Sequence, residues 1–300
     1  MATSSFRVAQ LSDLHFSSDG TANGRETGET FAAVAADVLN DAPDLVVVTG
    51  DIADTGQPGE YEVAGEALAA LGLPVYCLPG NHDRVDEMHA FLPRPGVVVQ
   101  RSLRVREWLF LFGDSNDEGV VFDADHGWVD HDDRMELARG AMHDHEQSWL
   151  RRQLEQGSAA QAMLWLHHPP AAPGMFSQPE YDAKVADLVG LATPVAAMAA
   201  GHVHTHVEST LARVPVYLCP STGTSLDFDE SRMMPPGYRR FTFHDDGRVD
   251  TEVVWIDDER WNKRYRLPDW AIEYLAGELS QEEMERRQAE MMGGNNKTQE

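Results

Sequence analysis

The sequence LPGNHD, residues 78–83, ends an apolar run and places several chemically versatile residues in one tight loop. Gly80 permits a backbone turn that a side chain would hinder. Asn81 can offer a carbonyl oxygen to a cation, His82 can bind or donate a proton, and Asp83 can fix the tautomer of a neighbouring imidazole. By itself, such a loop could be an ordinary polar turn. Its interpretation therefore depends on how the other apolar segments of the chain end.

Several apolar segments, each typical of a buried strand, end in the same kind of residue. They are 6–11 before Asp13 and His15, 45–48 before Asp51, 74–78 before Asn81 and His82, 162–166 before His167 and His168, and 195–200 before His202 and His204. Residues 29–39 and 60–71 have helical spacing and separate the first three, which predicts parallel strand–helix units. Ligands collect at the carboxyl ends of strands in such sheets, so we expect these side chains to converge. Asp13 and His15 are expected to point to the same side of an extended backbone.

The side chains at these strand ends are of the types that hold transition metals. The candidate set is Asp13, His15, Asp51, Asn81, His167, His202 and His204. Imidazoles favour Zn, Fe or Mn, and carboxylate and amide oxygens share these ions with harder cations. A carboxylate can bridge two cations about 3.5 to 4 Å apart, and a water between them is acidic enough to be hydroxide near neutral pH. Two cations also offset the charge that builds on a phosphate under attack. The set therefore predicts a two-metal hydrolytic site.

Five separated blocks of the sequence form one recognisable pattern. They are Asp13-Leu14-His15, Gly50-Asp51, Gly80-Asn81-His82-Asp83, His167 and Gly201-His202-Val203-His204. In this order they resemble the motifs of the calcineurin-like metallophosphoesterases, over about residues 6 to 256. The resemblance implies an α/β fold, a four-layer α/β/β/α sandwich of two mixed β-sheets flanked by helices. The doublet HHPP at 167–170 and the segment 236–253 resemble the class III cyclic nucleotide phosphodiesterases and related glycerophosphodiesterases.

The resemblance also implies a role for each matching position. By role, the residues are Asp13, His15 and His204 for the first metal ion, Asn81, His167 and His202 for the second, and Asp51 for the bridge between them. A hydroxide shared by two ions, Fe, Mn or Zn, would attack the phosphorus in line. His82 would contact the phosphate and assist the leaving group, so that His82, Asp51 and Asn81 are the implied catalytic residues. Asp54 and Asp83 are expected to support ligands or to form turns.

Two alternatives for the histidines stay open at this point. His202 and His204 could be half of an H-x-H-x-D-H site like that of metallo-β-lactamases, but residue 206 is His rather than Asp. The strand-end carboxylates also fit that alternative poorly. Either His167 or His168 could be the ligand of the doublet. We favour His167, because it stands where the family's histidine precedes x-Pro, and give His168 a supporting role.

Composition limits the possible partners. The sequence has 24 Lys and Arg against 50 Asp and Glu, a formal charge of −26. DNA, RNA and an anionic membrane surface would be repelled, so we expect a small phosphodiester substrate and no polymer. The N-terminus has no basic start followed by a long apolar segment, and no apolar run is long enough to cross a bilayer. Cys77 and Cys219 are expected to be buried free thiols. Together these features favour a cytoplasmic protein.

The later part of the chain is less regular. Residues 143–156 and 183–191 are predicted to be helices. Residues 214–218, 239–244 and 249–256 are predicted to be antiparallel strands, with an Asp-Asp-Gly turn between the last two. The polar segment 117–139, which follows the predicted strand 108–112, is expected to run over the surface.

We expect a metallophosphoesterase domain over 1–258 and a helical extension with a frayed tail over 259–300. The loops expected to choose the substrate are 117–139, 171–181 and 222–236. Met175 and Phe176 could cover a base or an acyl group, or could pack against the C-terminal segment or a second subunit. The C-terminal helix and hairpin could support a homodimer, or could cover one sheet.

The predicted function is that of a binuclear metal-dependent phosphodiesterase acting on small diesters. A 3′,5′-cyclic nucleotide, cyclic AMP, is the first choice, and a glycerophosphodiester is the second. A hydrolase of the same superfamily acting on phosphomonoesters, nucleotides or phospholipid head groups is an alternative. A non-catalytic scaffold is a further one, but no ligand position departs from the family pattern.

Overall fold

The computed structural model of the chain describes residues 4–22, 25–116, 139–172, 176–227 and 232–261, with Glu283, Arg286 and Arg287. The strands are β1 Ser5–Leu11, β2 Thr21–Ala22, β3 Arg25–Glu26, β4 Leu45–Thr49, β5 Val75–Leu78, β6 Val97–Val99, β7 Ser102–Val105, β8 Trp108–Phe112, β9 Gln161–Trp165, β10 Val195–Ala200, β11 Glu208–Leu211, β12 Val214–Leu218, β13 Ser225–Asp227, β14 Arg232–Met234, β15 Gly237–His244 and β16 Val249–Trp255. The helices are α1 Thr27–Asp41, α2 Pro58–Ala69, α3 Val85–Phe91, α4 Asp144–Gln156 and α5 Pro179–Ala186.

Two six-stranded sheets form the framework of the described residues. The first has the order β16-β15-β1-β4-β5-β6 and the second β11-β12-β10-β9-β8-β7. In the first sheet β1, β4, β5 and β6 run parallel, while β15 and β16 are added antiparallel. In the second, β8, β9, β10 and β12 run parallel, and the edge strands β7 and β11 are antiparallel. Both sheets are therefore mixed.

Strand β4 shows why the chain forms four layers. Successive side chains of a strand point to opposite faces of its sheet. Val46 and Val48 pack in a core cluster with residues of α1, α2 and α3. Val47 packs in a different cluster, between the two sheets. Both faces of the strand are covered, which explains its unbroken β-branched sequence.

The inter-sheet layer is rich in aromatic side chains. The ring of Phe110 lies 5.5 Å from that of Trp165 and 4.9 Å from that of Phe243. A third cluster joins the second sheet to α4 and α5, through residues such as Leu150 and Val185. The order is thus helices, sheet, sheet, helices, which confirms the predicted α/β/β/α sandwich.

The predicted hairpin near the end of the domain is confirmed. Strands β15 and β16 pair antiparallel, and the amide of His244 donates to the carbonyl of Arg248 (3.0 Å) across the turn. Gly247 has φ 89°, a conformation that favours glycine. Residues 214–218 also form a strand, β12, which pairs antiparallel as predicted, with β11, but lies in the second sheet and runs parallel to β10 on its other side.

Helix α5 is also displaced from its prediction. It covers Pro179–Ala186 instead of 183–191. Pro179 stands in the first turn, where its missing N–H costs nothing and its fixed φ suits a helix. Beyond Ala186 the amide of Val189 donates to the Ala186 carbonyl (3.1 Å), and Gly190 has φ 81°. This tight turn ends the helix earlier than the apolar spacing indicates.

Several predictions fall outside the described residues. They concern residues 117–138 of the polar segment, most of the extension 259–300, and Met175. The proposed division into 1–258 and 259–300 therefore stays a prediction. Among the residues that are described, no helix combines the length and the apolar character needed to span a bilayer.

Candidate metal centre

Side chains from both sheets meet where five parallel strands end. They follow β1, β4 and β5 of the first sheet and β9 and β10 of the second. The first donor group is Asp13, His15 and His204. The second donor group is Asn81, His167 and His202.

The first donor group gathers its ligand atoms within a small space. His15 Nε2 lies 3.1 Å from His204 Nε2. His204 Nε2 is also 3.4 Å from Asp13 Oδ1. Together with Asp51, each of these residues offers one ligand atom, and these atoms all lie within 4.8 Å of one another. Such a cluster of imidazole and carboxylate atoms suits a divalent transition metal.

The second donor group is centred on the amide of Asn81. Asn81 Oδ1 lies 2.9 Å from His167 Nε2 and 2.9 Å from His202 Nδ1. Asp51 Oδ2 lies between the two groups, 3.4 Å from His167 Nε2 and 3.7 Å from His15 Nε2. One carboxylate oxygen is therefore available to both donor groups.

The outer nitrogens of the imidazoles show which atoms face the centre. His167 Nδ1 lies 2.8 Å from the Thr49 carbonyl, His204 Nδ1 lies 2.9 Å from the Thr224 carbonyl, and His15 Nδ1 lies 3.2 Å from Asp54 Oδ1. The two carbonyls accept from Nδ1–H of His167 and of His204, so Nε2 is the nitrogen of each ring that faces the centre. His15 Nε2 lies 3.1 Å from His204 Nε2. Cations could be coordinated by several of these nitrogens and by the carboxylate oxygens, so the donor set fits a pair of metal ions.

Backbone amides orient the two carboxylates. The N–H of His82 donates to Asp51 Oδ1 (2.9 Å), which leaves Oδ2 facing both donor groups. The N–H of His202 donates to Asp13 Oδ1 and Oδ2 (3.0 and 3.1 Å). Both carboxylates are buried, with Asp13 0 % and Asp51 2 % exposed. They are therefore held before any ligand arrives.

The pKa values of these groups reflect burial and mutual charge. Burial alone would raise the pKa of Asp51, but His167 and His82 outweigh it and hold that pKa well below its usual value. Burial also opposes the charge on His167, yet Asp51 raises the pKa of that ring to about 9. Burial, and then the nearby His167, lowers the pKa of His202 to about 3. Ionised carboxylates can bind a cation directly, whereas the proton that Asp51 favours on His167 must leave before that ring can bind one.

The backbone that carries the candidate ligands is strained. The left-handed residues among them are Asp13 (φ 53°), His15 (φ 48°), Asp51 (φ 50°), His202 (φ 70°) and His204 (φ 54°). The expected extended backbone between Asp13 and His15 is therefore wrong, although their side chains do converge. Non-glycine residues in this region cost about 1–3 kcal/mol each and persist only where surrounding contacts enforce them.

Two glycines allow the loops to approach one another. A Cβ on Gly80 would lie 2.2 Å from Asp51 Oδ1, and one on Gly201 would lie 1.8 Å from Ser12 Oγ. Because neither contact can be relieved without moving the loops, both positions exclude a side chain.

His82 and Asp54 lie beside the first donor group. His82 Nδ1 lies 2.7 Å from the Asp54 carbonyl, and the rings of His82 and His15 meet edge to face, with centroids 4.7 Å apart. A proton on Nδ1 makes Nε2 the nitrogen through which His82 would act on a substrate. Asp54 therefore contacts two histidines, one through its carboxylate and one through its carbonyl.

Asp83 connects the loops after β4 and β5. Its carboxylate accepts hydrogen bonds from the amides of Ile52, Ala53 and Gly80 (3.2, 3.1 and 2.9 Å) and from the Tyr61 hydroxyl (3.1 Å). Burial and the neighbouring Asp51 raise its pKa to about 6. Asp83 thus holds together the segments that carry Asp51 and Asn81.

The two histidines of the doublet have different surroundings. His167 Nε2 lies near Asn81 and Asp51, whereas His168 Nδ1 lies 3.0 Å from Ser115 Oγ. The rings of His168 and His202 are nonetheless close, with centroids 4.4 Å apart. Ser115 was not among the sequence candidates, and no motif marks it. Only its position after β8 could have drawn attention to it.

Comparisons with known proteins agree with this geometry. Residues 6–206 match the family model of the calcineurin-like phosphoesterases. The chain is 28% identical over 280 residues to the 3′,5′-cyclic adenosine monophosphate phosphodiesterase of Escherichia coli K12, covering 89% of this chain and 94% of that protein. It is 27% identical over 268 residues to an Arcobacter nitrofigilis protein named "Probable glycerophosphodiester phosphodiesterase GpdQ", covering 83% and 93%.

A solved structure shows the same fold. A dimetal phosphatase from Danio rerio has a TM-score of 0.54 at 14% identity, with 84% of this chain and 99% of that chain covered. The family match covers more than half of the chain, which therefore belongs to the calcineurin-like phosphoesterases. The predicted family and the predicted class, a metallophosphoesterase, are confirmed.

Proposed function

We propose that this protein is a binuclear metal-dependent phosphodiesterase that hydrolyses small phosphodiesters, with 3′,5′-cyclic AMP as the first candidate. The position of Asp51 is the main support. Its Oδ2 lies 3.7 Å from His15 Nε2 and 3.4 Å from His167 Nε2, between the donor groups. A carboxylate oxygen in that position is suited to bridge two cations.

The proposed ligands follow the two donor groups. They are Asp13, His15 and His204 for the first ion, Asn81, His167 and His202 for the second, and Asp51 for both. The mixture of imidazole, carboxylate and amide donors suits Fe, Mn or Zn. The chemistry that such a pair of ions supplies is activation of water and neutralisation of charge on the phosphate.

His82 is the proposed general acid. With Nδ1–H donating a hydrogen bond to the Asp54 carbonyl (2.7 Å), a protonated Nε2 can donate to the ester oxygen. Hydrolysis forms one bond from phosphorus to the oxygen of water and breaks one bond to an ester oxygen. The attacking water releases one proton to bulk solvent, the departing oxygen takes a proton from His82, and bulk water can restore that proton to the ring.

The choice of substrate rests on the relatives. The 28% identical protein from E. coli is named for cyclic AMP, and the 27% identical protein from A. nitrofigilis is named for glycerophosphodiesters. Both names describe small phosphodiesters with an alkoxide leaving group. This shared chemistry supports a small diester substrate, and the glycerophosphodiester is the second candidate.

A substrate panel tests the proposal. Metal-depleted protein is refilled with Mn, Fe, Zn or Co and assayed on cyclic AMP, glycerophosphodiesters and matching monoesters. We expect turnover only with metal, and the largest kcat/KM on a cyclic nucleotide. Metal-independent turnover, or a clear preference for monoesters, would contradict the proposal, and a preference for glycerophosphodiesters would select the second candidate.

The charge of the protein supports a small substrate as well. A formal charge of −26 should repel long nucleic acids. We therefore expect slow or no hydrolysis of duplex DNA, and rapid cleavage at physiological salt would count against the proposal. A homodimer and a cytoplasmic location stay predictions.

A further inference from the structure

A buried turn lies behind the first donor group and has no role in the proposed chemistry. It has the sequence PSTGTS, residues 220–225, and leads from β12 into β13. Its polar side chains are almost inaccessible: Ser221 and Ser225 are 0 % exposed and Thr222 is 1 % exposed. The sequence indicated that 222–236 would help to choose the substrate, but the start of that segment is packed inside the protein.

The hydroxyl of Ser221 is the centre of this turn. It donates to the carbonyl of Asp13 (2.8 Å) and accepts from the amides of Gly223 (3.0 Å) and Thr224 (2.9 Å). A serine hydroxyl has one proton and two lone pairs, so every hydrogen-bonding position of Ser221 Oγ is used. Its orientation is therefore fixed.

One side of this hydrogen-bond set holds the backbone of Asp13. Asp13 is left-handed, with φ 53°, and its carbonyl accepts from Ser221 Oγ and from the amide of Gly223 (3.3 Å). A strained residue keeps such a conformation only where its neighbours enforce it. Ser221 supplies one of these restraints, and the Asp13 side chain belongs to the first donor group.

The other side holds the ring of His204. The Thr224 amide is fixed by Ser221, and the Thr224 carbonyl lies 2.9 Å from His204 Nδ1. That hydrogen bond selects the tautomer in which Nε2 faces the centre. A partner of this kind also sets the orientation of the ring.

We propose that Ser221 is a positioning residue for the first metal ion, because its hydroxyl joins the backbone of Asp13 to the carbonyl that orients His204. The proposal rests on the proposed two-metal function. Among the described residues, its hydroxyl contacts neither Asn81, His167 nor His202. It reaches the second donor group only indirectly, because the His202 amide donates to Asp13 (3.0 and 3.1 Å), so its effect should be larger on the first ion.

The test is Ser221→Ala, measured by binding of Mn²⁺ alone. The substitution removes three hydrogen bonds: those that the hydroxyl accepts from the amides of Gly223 and Thr224, and the one that it donates to the carbonyl of Asp13. Removing such supporting partners weakens metal binding roughly 10- to 100-fold. We expect the affinity for one of two Mn²⁺ ions to fall by that factor and the affinity for the other to fall much less. In electron paramagnetic resonance at intermediate Mn²⁺ concentrations, the signal of the spin-coupled pair should be replaced in the variant by the six-line spectrum of a single Mn²⁺ ion.

Ser225→Ala is the matched control. Ser225 is equally buried and lies in the same turn, and its hydroxyl donates to the Ser221 carbonyl (3.0 Å). That bond reaches neither Asp13 nor Thr224, so both ions should bind as in the wild type. Unfolding of the metal-free variants shows whether either change acts through general stability. Ser221→Cys, which keeps a weak donor of similar size, should lie between Ser221→Ala and wild type, and it replaces the alanine variant if that variant does not fold.

Two further backgrounds identify the ion that is affected. Ser221→Ala should cause no additional loss in His204→Ala, which is expected to lack the first ion, and should weaken binding of the ion that remains in Asn81→Ala by the same roughly 10- to 100-fold. If the wild-type protein holds two ions and Ser221→Ala leaves both affinities unchanged, or weakens both alike, the positioning role of Ser221 is overturned and the proposed function is not. If wild type holds fewer than two ions, the proposed function fails, and the positioning role fails with it.

Discussion

Between the sheets, Phe110, Trp165 and Phe243 pack ring against ring on regular strands, whereas the candidate ligands that follow β1, β4 and β10 have left-handed backbone. The aromatic layer gains stability from burial of apolar surface. The loops that carry the ligands are destabilised by strained backbone and buried charge, which offsets part of that stability. The comparison indicates that the sandwich acts as a rigid support for a site that would not hold its shape alone.

Asp51→Asn is expected to have the largest effect, and it tests whether the ligand loops can lose their function while the aromatic layer keeps its stability. The change removes a charge that faces both donor groups, so we expect turnover to be lost and at least one metal ion to bind more weakly. Stability of the metal-free fold should change little. Metal analysis and turnover on the preferred diester provide the measurement.

Glu62→Gln is a suitable control for the same change of charge, because Glu62 lies exposed on α2. It should retain both ions and full turnover. Two tightly held ions with normal activity in Asp51→Asn would remove the bridging role.

His82→Ala tests whether the loops supply an acid in addition to ligands. A general acid typically contributes about 10²- to 10⁴-fold, and it matters most for a poor leaving group. We expect that loss of kcat on alkoxide leaving groups, with a much smaller loss on a nitrophenolate. Equal losses on the two substrates would mean that His82 only binds the phosphate.

Phe243→Ala tests the aromatic layer. Phe243 is fully buried and its ring lies near those of Phe6, Trp108, Phe110 and Trp165. Truncation of such a residue costs about 3–5 kcal/mol of unfolding free energy. Chemical denaturation should show this loss, while the folded fraction keeps its metal content and KM. Loss of metal without loss of stability would contradict the separation of the two regions.

The smallest expected effect concerns the thiols. Cys77 and Cys219 are buried free thiols, and burial raises the pKa of each. The reactive thiolate should therefore be scarce in the folded protein up to mildly alkaline pH. Alkylation at pH 8 followed by mass spectrometry should find no label on native protein and two labels in denaturant. Rapid labelling of the native protein would indicate that the segments that bury these thiols open.

The sequence was informative where periodicity and strand order decide the structure. The apolar runs before Asp13, Asp51, Asn81, His167 and His202 predicted both the strands and the edge at which these residues meet. Local pattern could not predict the left-handed turns at Asp13 and His15, because contacts with distant segments stabilise them. One example is the hydrogen bond from the Asp13 amide to the Gly50 carbonyl (3.0 Å).

Supporting residues were the least predictable part of the site. Thr49, Ser221 and Thr224 act through a carbonyl or a hydroxyl, groups that no motif distinguishes from those of an ordinary turn. The same limit applies to β12: its alternating sequence is compatible with the antiparallel pairing that was predicted, which β11 provides, but it does not reveal the parallel pairing to β10.

Diffraction from crystals grown with Mn²⁺, using the anomalous signal of manganese, tests the central claim most directly. The proposed site predicts two peaks per chain, about 3.5 to 4 Å apart, one on each side of the Asp51 carboxylate. A single peak, or peaks remote from Asp51, would contradict the two-metal account.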